Sequence, residues 1–114
     1  MATLAQRIIS KINEAEPDKV QRKGLAELKK KTSPLYMNGD KLTAYIEVAK
    51  FLLQYNEDVS NMLKQLSLIR DARENNGGLN MEQHNKANEI FAQMVKVAKK
   101  KFGNELCKNY INYH

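Results

Sequence analysis

Residues 42–55, LTAYIEVAKFLLQY, constrain the fold more than any other stretch of the chain. On a helix, the strongly polar positions Thr43, Glu47, Lys50 and Gln54 follow the spacing i, i+4, i+7, i+11 and form one narrow strip. The other ten residues are Leu42, Ala44, Tyr45, Ile46, Val48, Ala49, Phe51, Leu52, Leu53 and Tyr55. An ordinary surface helix hides one stripe and wets the opposite face. This one needs cover over most of its circumference. It is expected to be the central helix of an assembly of helices, or one that also meets a second chain.

The rest of the chain supplies that cover. Thr3 and Gln6 have the form of a capping box, and Leu4, Ala5, Ile8, Ile12 and Ala15 follow as one apolar stripe. The residue before a proline is pushed out of the α region, so this first helix is expected to end before Pro17. Asp18 and Gln21 repeat the box and open a second helix, with Leu25 and Leu28 facing inward and Val20 at the edge. Thr32-Ser33-Pro34 reads as its end. Leu35, Tyr36 and Met37 then form a short apolar segment before the turn signal Asn38-Gly39, and are expected to tuck under the helices. Asp40 caps the central helix and Asp58 the next, whose stripe is Val59, Met62, Leu63, Leu66 and Ile69. Leu68 lies nearly opposite that stripe and should be exposed or meet a partner.

Asn75-Asn76-Gly77-Gly78 is the strongest break, expected as a mobile loop. Asn80 and Gln83 form a further box and start the last long helix, with inward residues His84, Ala87, Phe91, Met94, Ala98 and Phe102. Gly103 fits the position just past a helix end. Leu106, Cys107, Tyr110 and Ile111 suggest further helical turns. The expectation is an all-α fold: one domain, residues 1–114, in a compact bundle of five main helices (about 3–15, 18–31, 41–55, 59–73 and 81–101) plus a short C-terminal helix.

Chemistry is thinly represented. The one cysteine, Cys107, excludes an internal disulfide and reads as a core thiol. His84 has no histidine or cysteine at i+3 or i+4, so no metal is expected. No activated nucleophile with an oriented base stands out, and no phosphate-binding glycine loop is present, so neither catalysis nor a cofactor is expected. No run of about 20 apolar residues occurs, and Arg7 and Lys11 interrupt the N-terminal segment. Neither a membrane span nor a secretory signal is expected. An intracellular, cytoplasmic setting follows as the expectation.

The net charge is +6, carried mainly by the two ends. Residues 1–39 hold 8 basic and 4 acidic groups, and residues 80–114 hold 6 and 3. Such a balance favours acidic partners without naming one. Two readings follow. The broader is a non-enzymatic interaction or regulatory protein that binds another protein or itself. Its candidate contacts are Leu35, Tyr36, Met37, Phe51, Tyr55 and Leu68. A phage- or mobile-element-type inhibitor or adaptor would fit this description. The alternative is a nucleic-acid-binding module that uses Lys19, Arg22, Lys23 and Lys30 on one helix face, with Lys96, Lys99 and Lys100 as a second patch.

Overall fold

The computed structural model describes residues 4–114, with side chains described from Val20 onward. Among these residues the chain is all-helical. Helix α1 is Leu4–Met37, α2 Lys41–Leu53, α3 Val59–Asn76, α4 Met81–Phe102 and α5 Asn104–Tyr110. Thr3, and the side chains of residues 4–19, including Lys19 and the first apolar stripe, lie outside this description.

The central-helix expectation holds. Helix α2 packs against α1, α3 and α4. It buries Leu42, Ala44, Tyr45, Ile46, Val48, Ala49 and Leu52, while Glu47 and Lys50 on the polar strip pair at 3.6 Å. Leu53, one of its last residues, is 36% exposed. Leu25 and Leu28 of α1, Val59 and Leu66 of α3, Ala87, Ile90, Phe91, Met94, Val95 and Ala98 of α4, and Cys107 and Ile111 at the C-terminal end complete the core of the described residues. His84, expected on the inward stripe of α4, is exposed one turn before that stripe becomes covered.

The division of the first third differs from the sequence expectation. Residues 3–15 and 18–31 were expected as two helices, and 32–39 as irregular chain. Instead α1 runs unbroken through Pro17 and Pro34. The restriction before proline is a bias against the α region, not a prohibition, and a helix can pass through such a residue. A mid-helix proline removes the amide that would serve the carbonyl four residues earlier and costs about 3 kcal/mol. Around Pro34, side-chain bonds secure the turn. Thr32 is fully buried, its Oγ1 donates to the Leu28 carbonyl at 3.0 Å and lies 2.6 Å from the Tyr113 hydroxyl. Ser33 Oγ is 3.1 Å from the same hydroxyl. The C-terminal segment therefore holds α1 helical past the point where the local signal would stop it. Met37, expected beneath the bundle, is 87% exposed on the last turn.

The helix ends follow their local chemistry in most places. Asp40 Oδ1 accepts from the Thr43 amide at 3.3 Å and from Arg73 Nη1 at 2.7 Å, tying the start of α2 to the last turn of α3. Asp58 makes no side-chain cap; Asn56 Oδ1 instead accepts from the Asp58 amide at 2.9 Å. Helix α3 extends through Asn75 and Asn76 and closes on Gly77, whose φ of +73° is open to glycine at no steric cost. The Asn80–Gln83 capping box forms in full, at 2.8 and 3.0 Å.

Candidate interaction surface

Helix α1 presents its outer side to solvent along residues 26–37. The last two turns hold Pro34 and Met37, and α5 packs alongside, which brings Tyr110 next to them. Together with Ala26 and Ser33 these residues form an open, mainly apolar shelf of about 510 Å³, rimmed by Lys29 and Lys30. Lys29 is held over the rings of Tyr110 and Tyr113, 5.9 and 4.9 Å from their centroids. A cation lies within the field of an aromatic face at such a range. The rim is therefore positive and partly fixed in place.

The six residues expected to contact a partner are dispersed. Met37 alone reaches the shelf. Leu35 is half-buried and does not line it. Tyr36 turns inward and stacks on His114 with ring centroids 4.0 Å apart. Phe51 and Tyr55 come together, 5.5 Å between centroids, and both meet Phe102. They line a separate groove of about 340 Å³ between α1 and α2, edged by Val20 and Gly24. Leu68 is 60% exposed on α3, as its phase on the helix predicts. Pro34 and Tyr110 carried no partner expectation in the sequence. Tyr110 was legible as a helical residue, but nothing local indicated that its helix would lie against α1.

The basic residues are likewise not gathered into one place. Arg22, Lys23 and Lys30 are exposed on α1, and Lys96, Lys99 and Lys100 on α4. Lys30 borders the apolar shelf, whereas Lys96 and Lys99 border a different depression near Lys41. Lys100 borders neither.

Cys107 is fully buried, its Sγ 3.8 Å from the Val95 carbonyl. Burial pushes its thiol pKa up, against a smaller opposing effect of Lys99. A thiol kept protonated in the core is a poor nucleophile. Among the described residues, no group of three or more histidine, cysteine or carboxylate side chains is placed to hold a metal ion. No described helix is long and apolar enough to cross a membrane. No protein-family model, curated protein or solved structure matches the chain.

Proposed function

We propose that the protein is a small non-enzymatic interaction or regulatory protein that binds another protein through the Met37 shelf. The observation that carries this reading is Met37, 87% exposed beside Pro34 and Tyr110 rather than tucked beneath the bundle. A flexible thioether on an apolar floor makes an adaptable contact. The lysine rim selects a partner segment with an apolar anchor flanked by carboxylates, and a second copy of this chain is included among such partners.

The test uses the tagged chain and its Met37→Asp variant, each captured from the native cell after nuclease treatment. A stoichiometric protein partner retained by the wild type and lost with Met37→Asp supports the reading. Light scattering separates a foreign partner from self-association. A partner lost on nuclease treatment, or one held equally by the variant, would turn the function towards nucleic acid or another surface.

A further inference from the structure

The start of α2, the middle of α4 and the C-terminal residues enclose a depression of about 480 Å³ that shares no lining residue with the shelf. Three cations line it: Lys41 from α2, and Lys96 and Lys99 from α4. Among the described residues, no aspartate or glutamate side chain does. Asn88, Lys96 and Lys99 sit at i, i+8 and i+11 on α4, a spacing that keeps them on one face. The Asn88 carbonyl accepts from the Tyr45 hydroxyl at 3.0 Å, which leaves the amide NH2 to donate elsewhere. Asn112 adds a second amide. The floor is Tyr45 stacked on Phe91, centroids 4.2 Å apart and planes within 11°. The His114 ring stacks on Tyr36 at 4.0 Å and 13°, and also lines the depression while remaining exposed.

Cations with no acid partner among the described residues, amide donors and an exposed planar ring are what a phosphate joined to a flat base requires. We propose that this depression binds a nucleotide, with its phosphate between Lys41, Lys96 and Lys99 and its base laid against His114. The nucleotide is either free or part of a single strand. Because three lysines surround the phosphate position, binding weakens as salt rises. A bound phosphate also brings an anion towards the His114 ring. Burial and Lys41 hold the His114 pKa below its ordinary value in the free protein, and ligand binding raises it.

The experiment follows the His114 ring protons by NMR while AMP, inorganic phosphate or a thymidine oligonucleotide of about ten residues is added at low salt. AMP or the oligonucleotide shifts these resonances and raises the titration midpoint of the ring. AMP acting alone identifies a free nucleotide, and the oligonucleotide acting alone identifies a single strand. The double variant Lys96→Glu/Lys99→Glu, altered only at exposed positions, weakens binding at least about tenfold, the scale expected for reversing two phosphate contacts. Lys23→Glu/Lys64→Glu, at exposed positions on α1 and α3 that line neither the shelf nor the depression, leaves it unchanged. The proposal is overturned if neither nucleotide probe binds, if inorganic phosphate binds as tightly as AMP, or if the α4 double variant binds as the wild type does.

Discussion

Two aromatic clusters sit toward opposite ends of α2, and they are held by different forces. Near its start, Tyr45 stacks on Phe91, and Tyr36, Tyr113 and His114 gather around them. Three hydrogen-bonding groups of α1 converge on the Tyr113 hydroxyl: Thr32 Oγ1, Ser33 Oγ and the Lys29 carbonyl. Near its end, Phe51, Tyr55 and Phe102 meet edge-on or tilted, with Lys101 5.4 Å above the Tyr55 ring. No hydrogen bond joins the rings of this second cluster to a neighbour among the described residues. The first cluster is specified by polar geometry and the second by shape alone. The first should therefore be less tolerant of change and should respond to pH.

Truncation tests the packing half of that contrast and carries the largest expected effect. Phe91 is 6% exposed and stacked on Tyr45. Phe91→Ala should cost about 3–5 kcal/mol in urea denaturation. Phe102 is only partly buried, and Phe102→Ala should cost about 1–2 kcal/mol by the same rule scaled to exposure. Equal losses would show that the two clusters are equally packed. The polar half is tested more sharply by deleting one oxygen from each. Tyr113→Phe withdraws the hydroxyl shared by Thr32, Ser33 and Lys29 and should cost about 1–2 kcal/mol. Tyr55→Phe removes a hydroxyl with no such bonds and should change stability by less than about 0.5 kcal/mol.

Acid separates the clusters through His114. Desolvation first, and then the nearby charge of Lys41, lower its pKa from 6.5 in the folded chain. The unfolded state then binds the proton more readily, so this contribution to stability is complete above that ordinary value. It is lost as pH falls through the lower, folded value. His114→Gln should flatten the stability profile in this window and leave the response at lower pH, where Asp40 protonates. At Asp40, burial raises the carboxyl pKa, but hydrogen bonds from Arg73 and Thr43 outweigh it and hold the group below its ordinary value. A profile unchanged by His114→Gln would remove the first cluster's claim to pH sensitivity. Within the same cluster Tyr36 runs the other way: its hydroxyl is buried without a hydrogen-bond partner among the described residues. Burial, with Tyr45 and Tyr113 nearby, raises its pKa strongly, so it stays protonated. Tyr36→Phe should therefore stabilise the protein by about 1 kcal/mol.

The same contrast explains what the sequence could convey. The burial of α2 was legible because ten of the fourteen residues 42–55 are apolar and the polar ones share a strip. The Asn80–Gln83 cap was legible because it closes within four residues. The continuity of α1 was not, because the partner that secures Thr32 is Tyr113, 81 positions away. A proline penalty is local and visible, whereas the contacts that offset it are remote. The shelf was hidden for the same reason: Met37 stands out in the sequence, but Pro34 reads as a break and Tyr110 as one residue of a short C-terminal helix. The depression beside His114 combines lysines 41, 96 and 99 with the C-terminal residues, and only the folded chain places them together. Lys96 and Lys99 stand out in the sequence for their charge alone, and nothing in it sets Lys41 or His114 beside them.

Gly24 offers the finest test of whether the second cluster is governed by shape. It lies inside α1, where glycine is worth about 0.5–1 kcal/mol less than alanine. A β-carbon built there would fall 2.9 Å from Cε2 of Phe51, too close to stand without movement. The atom approached is the far edge of a ring that is partly exposed and borders the open groove between α1 and α2. The ring can therefore swing a few tenths of an ångström into free space, at a cost comparable to the helical gain. Gly24→Ala should then leave stability within about 0.5 kcal/mol of the wild type. Gly24→Val adds two methyl groups against the same ring and should destabilise by about 1–3 kcal/mol. If alanine already costs as much as valine, Phe51 is fixed rather than yielding, and the second cluster is as tightly specified as the first.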